Sequence, residues 1–397
     1  MPPNKASLQA FLANARSALK TPAAQRPKPL IFVVGNESAD LDSLCSAIVY
    51  AFIRTNTVPH ALHIPISNLP RADLALRTEM TAVLRHAGLT TDHLLTLSDL
   101  PDLPDLPPQD TRWVLVDHNS LTGPLKRFAR QVTGCVDHHV DEGVVDKDAQ
   151  PRIIEPCGSC MSLVVDECKP AWQELSRGRN DDDDAAAEHD ALIKLSLAPI
   201  LLDTTNLTAE HKVRPKDTDA VRFLRDQLHD SNFDAAQYYD LVNAVKEDIS
   251  ALSVRDIFRK DYKEWEQSGL TLGISCVVRG FEYLLEKAET RDTFLEELFS
   301  WSGERKLDVT AVMTTSYPDG KFHRQLLVWG LNDEGRAAVR TFNDMATEHL
   351  KLQQWHQGSL DGGSERFAWA QFELAASRKQ VAPLLREALR LSVEQKV

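Results

Sequence analysis

The first 210 residues repeat one pattern, in which a short aliphatic run is followed by a polar turn and then by a segment whose apolar positions have helical spacing. The runs are apolar throughout rather than alternating, which is typical of parallel strands covered on both faces. The predicted strands are, in chain order, LIFVV, HALHIPI, RWVLVD, QVTGCVD and LAPILLD. The pattern therefore predicts an α/β domain with a doubly wound, mainly parallel sheet.

The pattern changes after about residue 256. Runs such as LTLGISCVV, LDVTAVMTTSYP and FHRQLLVWG alternate or pair like strands of a mixed or antiparallel sheet, and RDTFLEELFSW and VAPLLREALRLSV have helical spacing. A polar helical stretch before residue 256 leads the chain out of the first domain. We therefore predict two domains, residues 1–250 and residues 256–397, of which the second is a smaller α+β domain.

Composition narrows the classes of partner. The chain has 397 residues, 43% of them apolar, and a formal net charge of -13, so we expect neither nucleic acid nor an anionic membrane as a partner. No apolar run approaches the ~18 residues that a spanning helix needs. Scattered cysteines without a secretory segment predict reduced thiols and a cytoplasmic protein, which we expect to be a monomer. The basic N-terminus leaves mitochondrial import of one form as an alternative to an ordinary packed helix.

Two polar segments interrupt the first domain. In EPCGSCMSLVV, we expect Gly158 and Ser159 to end a loop and cap the following helix, rather than Cys157 and Cys160 to form a redox or zinc site. The segment SRGRNDDDDAAAEHD, residues 176–190, contains four successive aspartates and is predicted to be an exposed insertion loop. A calcium or partner site is the alternative for residues 181–184.

Aspartates follow four of the predicted strands. Because all strands of a parallel sheet point the same way, we expect these carboxylates to emerge at one edge. A buried cluster of carboxylates stays ionised only with bound cations. Since His138 or His139 adds an imidazole, mixed oxygen and nitrogen ligation predicts two divalent ions such as Mg, Mn or Co. The clustered aspartates are Asp40, Asp42, Asp117, Asp137 and Asp203.

Four segments resemble, in order, the motifs of the DHH phosphoesterase superfamily. They are GNESADLDS at 35–43, VDHN at 116–119, CVDHH at 135–139 and LLDTTN at 201–206. In the second half, DYKEW at 261–265 and SRKQVAP at 377–383 are similar to substrate-binding elements of the C-terminal domain shared by family II inorganic pyrophosphatases and cytosolic, fungal-type exopolyphosphatases. The resemblance spans nearly the whole chain and implies a hydrolase acting on phosphoanhydride bonds.

The resemblance also implies which residues bind metal. Asp40, Asp117 and Asp203 would hold one ion. Asp42, Asp117 and His138 would hold the other, so that Asp117 bridges the two. Water activated between the ions would then attack a phosphorus atom.

Other residues would bind the substrate. The resemblance implies that His139 contacts the phosphate. Asp137 would support the site without contacting the phosphate itself. From the second domain, Lys263, Arg378 and Lys379 would hold phosphate oxygens, Arg378 in a bidentate manner and Lys379 as a point charge. Catalysis is therefore expected to depend on these cations, on His139 and on the bridging aspartate.

At one position this chain departs from the pyrophosphatase motif, and that position distinguishes the pyrophosphatases from the exopolyphosphatases. Pyrophosphatases of this type have histidine where this chain has Asn36, whereas exopolyphosphatases and prune proteins carry the GNE form. We therefore expect Asn36 to be at most a weak ligand. Because an amide oxygen is a harder ligand than imidazole, we also expect this protein to prefer Mn over Mg less strongly than a pyrophosphatase does. The intact DHH favours removal of terminal orthophosphate from inorganic polyphosphate. The alternatives are a manganese-dependent inorganic pyrophosphatase, a prune-like phosphodiesterase and an inactive binding protein.

Overall fold

The computed structural model describes residues 7–102, 105–176 and 183–394. The chain divides into two compact units, Met1–Lys246 and Glu247–Val397. The first unit contains a sheet of five parallel strands in the order β2-β1-β3-β4-β5. The strands are β1 (Leu30–Val34), β2 (His63–Ile66), β3 (Thr111–Val116), β4 (Val132–Asp137) and β5 (Arg152–Ile154).

Helices cover both faces of this sheet. They are α1 (Leu8–Lys20), α2 (Leu41–Asn56), α3 (Thr78–His86), α4 (Cys160–Ser176), α5 (Asp183–Asp203), α6 (Pro215–Arg225) and α7 (Ala235–Glu247), and the longer 3₁₀ segments are Arg71–Leu76 and Gly123–Gln131. Alternate residues of one strand enter two different cores: Val33 joins the core with α2, α4 and α5, whereas Phe32 and Val34 join the core with the 3₁₀ segment Gly123–Gln131. The sheet is thus buried on both faces, and the predicted doubly wound fold is confirmed.

The N-terminal segment packs as an ordinary helix. In α1, Leu8, Phe11, Leu12 and Leu19 are all buried, as their spacing predicts. Ser7 begins the helix, and its hydroxyl accepts a hydrogen bond from Ala10 N.

Two predictions about the region after α4 are wrong. The run LAPILLD, residues 197–203, is not a strand but the last two turns of α5. A helix that is apolar on all sides has no amphipathic period, so its sequence resembles that of a buried strand. The predicted loop over residues 176–190 is also wrong from residue 183 onward, because α5 already begins there. Residues 181 and 182, the first two of the four aspartates, lie outside the described residues.

The second unit contains a six-stranded sheet in the order β10-β11-β9-β8-β7-β6. Strands β7 and β8 are parallel and the other neighbours are antiparallel. The strands are β6 (Tyr262–Gln267), β7 (Leu270–Val277), β8 (Val309–Ser316), β9 (His323–Gly330), β10 (Leu352–Gln354) and β11 (Arg366–Gln371). This confirms the predicted mixed sheet of an α+β unit.

Five helices flank the second sheet, α11 and α12 on one face and α8, α9 and α10 on the other. They are α8 (Val254–Lys260), α9 (Phe281–Lys287), α10 (Arg291–Arg305), α11 (Asp333–Ala346) and α12 (Arg378–Glu394). Throughout the described ranges, no helix combines the length and apolarity needed to cross a membrane.

Candidate metal centre

The turn from β1 into α2 brings the first carboxylates to the edge of the sheet. A side chain at Gly35 would place its Cβ 2.5 Å from Ser43 Cβ, so glycine is what allows strand and helix to approach. Asp40 is the N-cap of α2 and accepts a hydrogen bond from Ser43 N at 3.0 Å. Asp42, two residues further on, lies in the first turn of α2.

Asp117 follows β3 in a left-handed backbone conformation, with φ of 60°. Its Oδ2 accepts hydrogen bonds from Asn36 Nδ2 and Ser43 Oγ, both at 2.7 Å. Its Oδ1 lies 3.0 Å from His138 Nε2 and 3.7 Å from His139 Nδ1. One carboxylate oxygen is thus held by the protein, and the other faces the two imidazoles.

The two histidines after β4 are oriented by different partners. His138 Nδ1 lies 3.0 Å from the carbonyl oxygen of Cys157, which accepts only from a protonated nitrogen, so in the neutral imidazole the lone pair is on Nε2, the nitrogen nearest Asp117. His139 Nδ1 donates to Asp137 Oδ1 at 2.7 Å. Burial raises the pKa of Asp137, but the hydrogen bond and charge of His139 outweigh it and lower the pKa to about 2. Asp137 therefore acts as an ionised support for His139.

Asp42 is buried against the N-terminus of α4. Its carboxylate accepts hydrogen bonds from Cys160 N at 2.7 Å, Met161 N at 2.9 Å and Ser159 Oγ at 3.0 Å. The pKa of Asp42 is nevertheless well above its ordinary value. Burial is the largest cause, and the nearby negative charges of Asp117, Asp203 and Asp40 follow in that order.

The Ser159 hydroxyl also accepts a hydrogen bond from Met161 N at 3.2 Å. Ser159 therefore caps α4, as predicted, while it also contacts a carboxylate of the centre. The loop that carries the CGSC segment is in this way part of the wall of the site.

The donor set fits divalent cations. Ligand atoms of Asp117, His138 and His139 lie within 4.8 Å of one another, and the pKa of Asp42 shows that further carboxylates are close enough to repel it. Asp203 ends α5, where the helix dipole already concentrates partial negative charge and favours a cation. Clustered carboxylates with an imidazole lone pair are the donors that Mg, Mn or Co would satisfy.

Asn36 contacts the candidate metal centre through its hydrogen bond to Asp117. Its amide nitrogen donates to Asp117, and its amide oxygen accepts from Ser38 N at 2.9 Å. The side chain is buried and fixes the orientation of the carboxylate. That Asn36 is at most a weak metal ligand stays a prediction.

The predicted phosphate-binding cations all lie in the second unit. Lys263 is the second residue of β6, and Arg378 and Lys379 begin α12. The Arg378 guanidinium pairs with Asp261, with Nη2 at 2.8 Å from Oδ1. Their role in substrate binding stays a prediction.

Two buried residues support the centre without having been predicted. Arg77 donates from Nε to Ala39 O at 2.9 Å and from Nη2 to Ser38 O, which fixes the loop between β1 and α2. Asp217, in the first turn of α6, is fully buried and accepts from Gly158 N at 2.9 Å and from Ser162 Oγ at 2.6 Å. An acid in the first turn of a helix is ordinary, so no sequence pattern indicates this longer-range role of Asp217.

Asp217 in this way holds the loop that contacts both His138 and Asp42. The loop supplies the Cys157 carbonyl oxygen to His138 and the Cys160 backbone N–H to Asp42. A side chain at Gly158 would place its Cβ 2.6 Å from Asp217 Oδ2, so the close approach requires glycine.

Comparison with known proteins identifies the family. The model of the DHH family, N-terminal domain, matches residues 30–194, and that of the DHHA2 domain matches residues 240–388. A Schizosaccharomyces pombe protein named "Putative exopolyphosphatase" is 32% identical and covers 90% of this chain and 91% of its own. Human "Exopolyphosphatase PRUNE1" is 26% identical, with 96% of this chain and 79% of its own length covered.

A solved structure has the same fold. The Methanococcus jannaschii "putative family II inorganic pyrophosphatase" superposes with a TM-score of 0.58 at 19% identity, covering 91% of this chain and 99% of its own. The fold of each sheet with its helices is therefore already known among solved structures. With both family models matched, the chain belongs to the DHH family and carries a DHHA2 domain in its second half.

Proposed function

We propose that this protein is a metal-dependent exopolyphosphatase that releases terminal orthophosphate from inorganic polyphosphate. The broader class, a hydrolase acting on phosphoanhydride bonds, is confirmed by the family and by the relatives named above. The observation that carries the finer proposal is the cluster at the edge of the first sheet. There Asp117 Oδ1 lies 3.0 Å from His138 Nε2, and a second buried carboxylate, that of Asp42, lies 3.9 Å from the same nitrogen.

We assign metal binding to the residues that this cluster gathers. Asp40, Asp117 and Asp203 would hold one ion, and Asp42, Asp117 and His138 the other. Two bound divalent ions would neutralise the carboxylates, lower the pKa of a nearby water and draw charge from phosphoryl oxygens.

The protein's own groups then bind and orient the phosphate. His139 Nδ1 donates to Asp137, and in the protonated imidazole the second N–H, on Nε2, can donate to a phosphate oxygen. We assign Lys263, Arg378 and Lys379 to the same task, because ammonium and guanidinium groups offset the charge that spreads over equatorial oxygens. Asn36, which fixes Asp117 with a neutral amide, supports the choice of polyphosphate over pyrophosphate.

Phosphate release tests this proposal directly. Purified protein is given pyrophosphate or long-chain polyphosphate with Mg, Mn or Co, and the products are resolved on a gel, with chelator added to a matched sample. We expect orthophosphate from polyphosphate, long chains shortened only from their ends, and no release with chelator. Cleavage of pyrophosphate alone would show the pyrophosphatase alternative to be correct. Absence of release from both would leave phosphodiester cleavage or binding without catalysis.

A further inference from the structure

Three polar side chains lie at one edge of the second sheet, where β7 and β8 end and β6 and β9 begin. Lys263 is the second residue of β6, Cys276 the last but one of β7, and Arg324 the second of β9. The register pairs Lys263 with Ile274, Cys276 with Met313, and Thr315 with Arg324. Since directly paired residues share a face, and so do residues two apart on a strand, all three side chains lie on the same face.

Helix α12 covers this face and adds a fourth group. Ile274, Met313 and Leu326 from the strands form one core with Val381 and Leu385 of the helix. The helix begins at Arg378, whose Nη1 donates to Asp261 O at 3.3 Å. The same carbonyl oxygen accepts from Cys276 N at 2.7 Å, so the guanidinium of Arg378 lies beside Cys276.

The pKa of the Cys276 thiol is affected by the nearby cations. Burial raises its pKa to about 11, although the positive charges of Arg378, Arg324 and Lys263 each act to lower it. Cations from β6, β9 and α12 therefore surround Cys276 on this face of the sheet. The side chain of Arg324 was not among the predicted substrate-binding residues.

Arg324 is a buried cation. Only 8% of the residue is exposed, its Nε donates to Leu374 O at 2.8 Å, and its guanidinium lies 5.0 Å from the centre of the Phe322 ring. Within the described ranges of the chain, no carboxylate forms an ion pair with Arg324 or with Lys263. Burying a guanidinium without a counter-charge is costly, and an incoming anion would remove that cost.

We propose that Arg324 is a phosphate-binding residue, which together with Lys263 and Arg378 forms an oxyanion site on the second unit. That the oxyanion is part of a polyphosphate chain rests on the proposed function; that the site binds an oxyanion rests on the buried guanidinium, which has no carboxylate partner among the described residues. Strands β6 and β9 are three positions apart in the sheet, which separates the backbones by roughly 14 Å. Such a span suits an oligomeric phosphate, touched at successive groups, better than orthophosphate.

Calorimetry on the full chain tests this site without turnover. Tripolyphosphate is titrated into the protein in the presence of chelator, so that no hydrolysis occurs. We expect Arg324→Gln to weaken binding by about 10-fold or more, because a charge-assisted hydrogen bond is lost. Arg324→Lys retains the charge and should restore part of the affinity.

The matched control is Arg390→Gln. It removes the same charge from the same unit, but Arg390 is paired with Glu387 and Glu394 and should leave tripolyphosphate affinity unchanged. Melting temperatures with and without tripolyphosphate give a second readout: the anion should raise that of wild type more than that of Arg324→Gln. A merely structural Arg324 would lower the anion-free melting temperature but leave the anion-induced increase intact.

Two results would overturn the site. One is equal tripolyphosphate affinity for wild type and Arg324→Gln, and the other is absence of binding by wild-type protein. Failure of the proposed function looks different: tripolyphosphate would bind in an Arg324-dependent manner, while no orthophosphate would be released from polyphosphate in the presence of metal.

Discussion

The edge of the first sheet and the edge of the second sheet gather charges of opposite sign, and they are stabilised in opposite ways. At the edge of the first sheet, the carboxylate of Asp42 accepts three hydrogen bonds, from Ser159, Cys160 and Met161. In the second, the buried guanidinium of Arg324 donates to one backbone carbonyl oxygen, that of Leu374. The carboxylate of Asp42 is thus held by several protein donors, whereas the guanidinium of Arg324 has one hydrogen-bond acceptor among the described residues. This difference is the one expected if the first edge binds metal and the second binds an exchangeable anion, as proposed above.

The largest expected effect on turnover is that of Asp117→Asn in the proposed metal centre. The amide preserves the shape of the side chain but removes the charge that both proposed ions share, so we expect turnover to fall by roughly 10³-fold or more. Isothermal titration with Mn should show loss of at least one binding event, while circular dichroism shows an intact fold. Asp148→Asn, an exposed change in the same unit, is the control. Full activity in folded Asp117→Asn would contradict the assignment of Asp117 as bridging ligand.

The charge balance of the first edge predicts how stability changes with pH. Burial and the neighbouring carboxylates raise the pKa of Asp42 in the folded protein, so the folded state binds the proton more tightly than the unfolded state. Without metal, this contribution is favourable at low pH and is lost as pH rises above the ordinary value of 3.8. Asp137, with its pKa lowered to about 2, acts oppositely and loses its stabilising effect as pH falls from 3.8 towards 2.

Differential scanning fluorimetry in chelator should therefore show the melting temperature falling as pH rises from about 4 to 7, the range above the ordinary aspartate pKa. Adding Mn should reverse the fall at neutral pH, since bound cations remove the repulsion. Asp42→Asn should flatten the slope in chelator. A slope that is the same in wild type and Asp42→Asn would mean that Asp42 does not carry the repulsion.

A smaller effect is expected from Asp217→Asn. The change weakens the hold on the loop that orients His138 and contacts Asp42, without touching a proposed ligand directly. Partners of this kind typically cost about 10-fold in metal affinity when they are changed. Titration calorimetry with Mn measures the loss. Asp219→Asn, an exposed neighbour on α6 that pairs with Arg222, should bind metal as wild type does; equal losses in both variants would show that Asp217 has no specific role.

The elements of the first sheet were largely predictable from local sequence. β1, β3 and β4 are short apolar runs with polar turns, and their alternate residues enter two cores, as in Val33 and Phe32. The same criterion failed at α5, because a helix buried on all sides is apolar without a helical period. Asp203 thus lies at a helix end rather than a strand end, yet it still acts on the pKa of Asp42.

What could not be predicted depends on contacts that are distant in sequence. Asp217 binds the N–H of Gly158, 59 residues away, and no local pattern encodes that pairing. Arg324 lies in the run FHRQLLVWG, which reads as a strand with an ordinary polar residue near its start. Its significance comes from burial without a carboxylate partner among the described residues, which becomes visible only when β9, β11 and the segment after β11 are folded together.

The smallest effect is expected where the two subfamilies differ, at Asn36. Asn36→His replaces an amide that donates to Asp117 with an imidazole that can ligate metal itself. Because imidazole suits Mn better than Mg, the ratio of Mn-supported to Mg-supported phosphate release should rise by a few-fold. The ratio is measured with polyphosphate and pyrophosphate in parallel, and Asn68→His, which changes another amide near the end of β1, serves as control. An unchanged ratio in folded Asn36→His would mean that metal preference is set by the carboxylates and His138 alone.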